Sequence, residues 1–490
     1  MFIKNVILSY RKMLVVTQAY YLIKKGGETV LDINRLEEYK ENNRIEAKKA
    51  LGGLPHSIWE TYSAFANTMG GVILLGVEEY RDKTFHPVDL PDPEGMTEKF
   101  FSVLNDTRFV SKNILSPADV TIHELYGKRI ISIQVPRAPR ADRPIFLNGD
   151  TSLCYRRNGE GDYKCTPEQI NAMLRDSKRK TQDMHVLTDC DLSVLSRESV
   201  VCYRSLLHGF ASLSDEELLI ELGAAAVENG ILHPTAAGLL MFAPQEKIKE
   251  YFPMFSLEYD IGASDFSEKE GLKTGNLFEF YFSACRHLTQ TAATLTASPE
   301  ELSRLCIALR EALVNCIVNA DYRSPSCVSV KLFEGNIVFS NSGNMRITPD
   351  HALLGGISDP RNGVLAEMFR LISVGKRAGS GIPSIYKLWK RQGLANPALI
   401  EHFSPDRIDF YLPISSPDGH TASAQSHEMS RPELHMAAVV SFLTESIRAQ
   451  SGDISELLGI TREQAAELLE KMTAQDILSH SDDGFFILKA

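Results

Sequence analysis

Val72-Ile73-Leu74-Leu75-Gly76-Val77 is a short, wholly apolar run that directly follows the pair Gly70-Gly71. A strand without a polar position has no face to offer water, so it is expected to be buried on both sides. Such a strand needs other elements packed against each face, which restricts the chain to a layered α/β or α+β architecture. One covering element is legible just upstream. Ile58, Tyr62, Phe65 and Met69 recur at helical spacing, and Ser57 with Glu60 forms a capping-box pattern. Gly70-Gly71 ends that helix. Earlier still, "RIEAKKAL" puts Glu46 and Lys48 two residues apart, on one side of a strand. The order is strand, helix, strand.

Three glutamates bracket this unit: Glu41, Glu46 and Glu78. With the two strands as neighbours, Glu46 and Glu78 stand near each other at the sheet edge, and Glu41 approaches from a preceding turn or helix end. Clustered carboxylates repel unless a cation neutralises them, and Mg²⁺ is typically held by one or two carboxylates plus substrate phosphates. Such a metal activates water and stabilises a phosphodiester leaving group, with Lys48 adding positive charge. The other reading of the same spacing makes Glu41 and Glu78 surface acids and Glu46–Lys48 a surface pair.

The length of 490 residues suggests about three domains at ~150 residues each. Nothing at the N-terminus reads as a signal peptide, and no apolar run approaches the ~20 residues of a spanning helix. The eight cysteines are scattered singly with no C-x-x-C, which fits a reducing cytoplasm and argues against zinc ribbons and disulfide frameworks. The net charge of −11 does not advertise nucleic-acid binding, yet residues 128–180 carry a local balance of +6. A basic face binds phosphate even on an acidic chain.

"RIEAKKAL…SAFANTMGGVILLGVEE", followed by "DTSLCYRRNGEGDYKCTPEQI", resembles the Schlafen/AlbA-like nucleic-acid-binding domain over residues 34–180. An acid-x-K element, an "AFANT-GG" helix end, a "GV(D/E)" strand end and a "YxRxG" strand recur in family order. The resemblance implies DNA or RNA binding. In some members, acids at the positions of Glu41, Glu46 and Glu78 form a metal-dependent (Mg²⁺ or Mn²⁺) ribonuclease centre acting on tRNA-like substrates. Here the third acid is Glu rather than Asp. The "YxRxG" strand supplies Tyr155, Arg156, Arg157 and Lys164 as nucleic-acid contacts, since arginine grips phosphate and tyrosine stacks on bases. Arg137, Arg140 and Arg143 lie upstream among three prolines that favour an extended, presenting loop.

Residues 181–295 read as a mostly helical linking domain, with Ser214 and Glu217 capping one helix. In "SPEELSRLCIALREALVNCIVNADYRSP", Ser298, Pro299 and Glu301 start a helix whose stripe is Leu302, Leu305, Leu309, Leu313 and Cys316. Glu311, Asn315 and Asn319 stack on another face. "CVSVKLFEGNIVFSNSG" reads as two strands turning at Glu334-Gly335-Asn336, and "VGKRAGSGIPSIYKL" as a glycine-rich turn entering a helix. Glycines and a helix N-terminus suit phosphate oxygens.

In this order, "EALVNCIVNADY", "SNSG" and "GSGI" resemble the ATP-binding fold shared by gyrase, Hsp90, histidine kinases and MutL, in its RecG-like branch, over residues 296–413. The resemblance implies that Glu311 activates water and that Asn315 ligates a phosphate-bridging Mg²⁺. It places Asn341 and Gly343 at adenine, and Gly379 and Gly381 with Lys376 and Arg377 at the phosphates. The superfamily usually has Asp where Asn341 stands, and R-N-P where Arg361-Asn362-Gly363 stand. No G-x-x-x-x-G-K-[ST] is present, so no P-loop motor is expected.

Residues 414–432 read as a flexible linker, and residues 433–490 as a winged helix-turn-helix whose third helix carries Arg462, Gln464 and Lys471 among Glu463, Glu467 and Glu470. DNA reading and protein pairing both fit that helix. With residues 1–33 as an N-terminal extension, the expectation is an α/β (α+β) multidomain chain in the cytoplasm. Its partners are ATP with Mg²⁺, nucleic acid and further copies of itself, with no membrane. The expected function is a regulator of transcription; the alternative is an ATP-gated, metal-dependent endoribonuclease.

Overall fold

The computed structural model describes residues 32–207, 210, 212–260, 275–296, 298–325, 327–333, 335–372, 374, 379–415, 430–481 and 484–489. The expected N-terminal extension up to residue 31, linker residues 416–429, Lys376, Arg377, and turn residues Glu334 and Asp483 lie outside the described residues. The chain divides into two compact units, one ending at Lys178 and one beginning at Arg179.

In the first unit, β1 (Ile45–Lys48), α1 (Ile58–Asn67) and β2 (Gly71–Leu75) follow in order, and β1 pairs parallel to β2 with Glu46 opposite Ile73. The hairpin β3 (Val77–Glu79) and β4 (Phe85–Pro87) and helix α2 (Pro93–Leu104) lead to β5 (Val120–Leu125) and β6 (Lys128–Val135). The main sheet runs β1-β2-β6-β5. Ile73 and Leu75 join a core with Ile58, Tyr62, Phe65 and Ile133, while Val72 and Leu74 join another with Ile45, Val77 and Phe85. The apolar strand is thus buried on both faces.

Only glycine fits its entry. Gly70 has φ +73°, and a Cβ there would stand 2.8 Å from the Val135 carbonyl oxygen; one on Gly71 would stand 2.7 Å from that of Arg44. The capping box at the start of α1 does not form. Ser57 has helical backbone angles and makes no cap bond, and Glu60 Oε1 accepts from the Tyr155 hydroxyl at 3.1 Å. A cap residue needs extended backbone to turn its hydroxyl onto the helix end. Strands β7 (Phe146–Leu147), β8 (Asp150–Asn158) and β9 (Gly161–Lys164) form a second sheet against α1, and α3 (Pro167–Ser177) closes the unit with a complete Thr166–Gln169 capping box.

The second unit opens with α4 (Arg197–Ser205), α5 (Asp215–Glu221), the hairpin β10 (Ala225–Glu228) and β11 (Ile231–Pro234), α6 (Ala236–Phe242) and α7 (Gln245–Tyr251). Ser214 and Glu217 make the expected capping box on α5. Then come β12 (Leu257–Asp260), α8 (Leu277–Leu295), α9 (Pro299–Asn319), β13 (Val328–Phe333) and β14 (Asn336–Ser342). Next are α10 (Pro349–Leu354), α11 (Gly363–Leu371), α12 (Gly381–Arg391), β15 (Ala398–Phe403) and β16 (Asp406–Pro413). The sheet order is β12-β13-β14-β16-β15, with only β12–β13 parallel.

Helix α9 packs against α8 and α12, and its apolar stripe is buried. The last stretch runs α13 (Arg431–Ser446), β17 (Arg448–Ala449), α14 (Ser451–Leu458), α15 (Arg462–Ala474), β18 (Leu478–His480) and β19 (Phe486–Leu488), with sheet order β17-β19-β18. It does not stand apart. Met436, Val439, Val440 and Leu443 of α13 share one core with α8 and α9. No described helix is long and apolar enough to cross a membrane.

Candidate nucleotide cavity and charged sites

Helix α9 presents Glu311, Asn315 and Asn319 at four-residue intervals, and all three line a cavity of about 370 Å³. Its floor is the sheet: Phe339 and Asn341 on β14, Leu399 on β15, Ile408 and Phe410 on β16. These residues share one sheet face because β14 and β16 pair with Asn341 opposite Ile408 and Phe339 opposite Phe410. Gly379 and Gly381 bring the N-terminal end of α12 to the same cavity. Four chain segments far apart in sequence thus converge, with an apolar floor and a polar wall, the usual make-up of a small-molecule site.

Asn341 is buried, and its Nδ2 donates to the Ser342 carbonyl oxygen at 3.1 Å. Ser380, ahead of α12, makes no side-chain cap bond, so that helix start depends on other partners for its N–H groups. A Cβ on Gly381 would lie 2.2 Å from Glu311 Oε1, so a larger residue there would displace that carboxylate. Gly343 is absent from the cavity wall. It has φ +92°, and a Cβ there would meet the Arg361 guanidinium at 2.7 Å. Arg361, almost wholly buried, donates to the carbonyls of Asn319 and, at 2.7 Å, Asn344.

Sequence reasoning missed four charged residues of the wall: Arg346, Asp359, Glu367 and Arg370. Arg346 pairs with Asp359 at 3.1 Å and donates to the Pro360 carbonyl at 3.0 Å; Arg370 pairs with Glu367. Arg346 stands five residues after Asn341 in "NSGNMR", so the motif itself led to it. Cys316, whose thiol burial pushes well up, also lines the cavity.

Of the three glutamates, Glu41 and Glu46 lie close enough for their charges to interact, while Glu78 pairs elsewhere. Glu46 pairs with Lys48 at 2.8 Å and with Arg157 at 2.9 Å, whereas Glu78 pairs with Lys49 at 3.0 Å. Glu41 Oε1 accepts from the Ala47 N–H at 3.1 Å. Burial raises the Glu41 carboxyl above the usual range; the Ala47 N–H lowers it, and the carboxylates of Glu46 and Glu79 raise it further. Successive β3 residues point to opposite faces, so Glu79, not Glu78, turns its charge towards Glu41. Among the described residues, no three His, Cys, Asp or Glu side chains form a group able to hold a metal ion.

The expected nucleic-acid contacts separate by exposure. Tyr155, Arg156, Arg157 and Arg143 are buried, contrary to the expectation that they face a ligand. For Tyr155, Arg156 and Arg157 the reason is that β8 is covered on both sides, by α1 and by α3. Arg157 is held between Glu46 and Asp162 (3.0 Å), donates to the Asn42 carbonyl and lies 5.3 Å from the Phe65 ring centre. Arg140 donates to the carbonyls of Asp176 (2.8 Å) and Lys178 (3.0 Å), closing the C-terminal end of α3. Arg137 is half-buried, and Lys164 is exposed, as are Lys178, Arg179 and Lys180.

Comparison with known proteins places family models along the chain. Residues 38–166 match the model described as Schlafen, AlbA_2. Residues 171–258 match a domain of unknown function, DUF8451, and residues 326–429 match "Putative ATP-dependent DNA helicase recG C-terminal". No curated protein matches the chain. Among solved structures, the DIP2311 protein from Corynebacterium diphtheriae is 18% identical, with 98% of this chain and 84% of that chain covered and a TM-score of 0.39. The N-terminal domain of a putative ATP-dependent DNA helicase RecG-related protein from Nitrosomonas europaea is 32% identical. That match covers 27% of this chain and 90% of that one, with a TM-score of 0.22.

Proposed function

The chain joins a Schlafen AlbA_2 domain to an ATPase-like domain of the RecG C-terminal type, and from that premise we propose an ATP-binding, nucleic-acid-binding regulatory protein in which nucleotide occupancy sets nucleic-acid affinity. The observation that carries the reading is the single cavity lined by Glu311, Asn315, Asn341, Gly379 and Gly381. Adenine fits the apolar floor, with Asn341 as its polar contact. The phosphates fit the N-terminal end of α12, where N–H groups and the helix dipole favour negative charge. Asn315 would hold a Mg²⁺, which neutralises phosphate charge when bound. Glu311 stands one turn away, placed to orient water.

The nucleic-acid contacts on this reading come from the exposed Lys164 and Lys178 of the first unit rather than from the buried arginines. The α13–β19 stretch, with winged-helix element order, offers α15 as a second contact or as a pairing surface for another copy. The alternative of a metal-dependent ribonuclease asks three carboxylates to share one ion. Glu46 pairs with Lys48 and Arg157, Glu78 pairs with Lys49 at the surface, and among the described residues no three carboxylates form a group able to hold a metal ion, so this reading has less support.

The test is to titrate labelled single-stranded RNA, tRNA and duplex DNA with the full chain, with and without Mg²⁺ and a non-hydrolysable ATP analogue, and to run the products on a gel. The proposal expects intact nucleic acid and an affinity that shifts with nucleotide, since a ligand moves an equilibrium only through different affinity for its two states. Cleavage lost in Glu46→Ala would overturn it in favour of the nuclease. Affinity indifferent to nucleotide would remove the regulatory role.

A further inference from the structure

Helix α11 forms one wall of the cavity through Gly363, Ala366, Glu367 and Arg370. It does not cap itself. Asn362, at its N-cap, makes no side-chain bond to the helix. Its Nδ2 instead donates to the carbonyls of Val318 (3.2 Å) and Ala320 (2.9 Å), the open end of α9. The first N–H groups of α11 are taken by a residue far away in sequence. Asp183 accepts from the Leu365 N–H at 2.9 Å, and also from that of Val364.

This carboxylate is only 1% exposed, and the Thr181 hydroxyl donates to its other oxygen at 2.6 Å. A Cβ on Gly363 would meet Thr181 at 3.2 Å, so the helix starts in direct contact with the Thr181–Asp183 segment. The one-turn helix Gln182–Met184 packs on α11 and on α6. The end of α9 and the start of α11 are therefore locked in one joint, with Asn362 binding one side and Asp183 closing the other. Glu311, Asn315 and Asn319 face the cavity from α9, so this joint sets the spacing between two of its walls.

We propose that Asp183, oriented by Thr181, is a positioning residue of the cavity: it caps α11 from outside the nucleotide-binding fold and holds Gly363, Glu367 and Arg370 at the distance from α9 that a polyphosphate requires. The inference rests on reading the cavity as a nucleotide site. Asp183 lies within residues 171–258, which match the domain of unknown function, and before the 326–429 match. It thereby assigns that domain a task, completing a site it does not itself line. A preorganised wall matters because ordering it at the moment of binding would subtract from affinity.

The test uses the full chain carrying Asp183→Ala, Asp183→Asn or Thr181→Val, titrated with Mg²⁺ and the β,γ-imido analogue of ATP, with thermal unfolding followed in parallel. Asp183→Ala is expected to weaken binding by roughly tenfold, the order that loss of a helix cap represents. Asp183→Asn keeps an acceptor oxygen for the Leu365 N–H and should recover most of that loss. Thr181→Val should fall between them. A purely structural role would lower the unfolding midpoint and leave the affinity of the folded protein unchanged; that outcome overturns the inference. If Asp183→Ala does not fold, the Asn and Val variants decide it, and wild-type affinity in both would sink it. A wild-type chain that binds no nucleotide would remove the cavity reading and this inference with it. Binding by wild type and variants alike would remove the inference alone.

Discussion

Arg157 shows how a residue chosen for one chemistry performs another. Its guanidinium is 1% exposed and compensates two carboxylates, Glu46 and Asp162. Removing one partner of a buried ion pair costs about 3–5 kcal/mol, because a desolvated charge is left behind. Arg157→Ala should therefore lower unfolding stability by roughly 3 kcal/mol in urea. Unchanged stability with a flattened salt dependence of nucleic-acid binding would restore it to a phosphate contact.

Glu41 makes a second prediction at this scale. Burial, with Glu46 and Glu79 nearby, holds its folded-state pKa above the unfolded one. Its stabilising contribution is full below the unfolded value of about 4.3 and is lost as pH rises through the raised folded value. Glu41→Gln does not titrate and keeps an acceptor for the Ala47 N–H. Its stability should match wild type near pH 4 and exceed it increasingly towards pH 7. Parallel stability–pH curves would contradict the account.

Among the elements, Gly343 stands at a joint. Ala there would carry a Cβ at φ +92°, against the Arg361 guanidinium that closes the end of α9. Gly343→Ala is expected to destabilise by about 1–3 kcal/mol, measured by thermal or urea unfolding. A neutral effect would mean that Arg361 moves freely.

The elements themselves were largely legible in the sequence. β1, α1 and β2, helix α9 with its polar stripe, and the β13–β14 hairpin follow from apolar periodicity and glycine punctuation. The cavity residues Glu311, Asn315, Asn341, Gly379 and Gly381 were legible as motifs. Facing was harder to read. Periodicity cannot tell that β8 is covered on both sides, so Tyr155 and Arg156 looked like a presented surface. Nor can it choose between Glu78 and Glu79, where one residue of strand parity reverses the direction. The Asp183 cap leaves no local signal, because its partner is 182 positions away.

At the scale of the whole molecule, the chain carries two separate features: the cavity that we read as a nucleotide site, and a stretch that matches the Schlafen, AlbA_2 model. The cavity draws on α9, the sheet, α11 and α12, and α9 also packs against α8 and α13. The helix that lines the cavity is thus shared by much of the second unit. Coupling between sites is reciprocal, so nucleic acid should alter nucleotide affinity by the same factor that nucleotide alters nucleic-acid affinity.

The most direct test of the central claim is calorimetric titration of the full chain with a non-hydrolysable ATP analogue, with and without Mg²⁺, beside Asn315→Ala. The account predicts saturable binding that is strengthened by Mg²⁺, with that strengthening lost in Asn315→Ala. Absence of binding by the wild-type chain, or equal Mg²⁺-dependent binding by the variant, would contradict it.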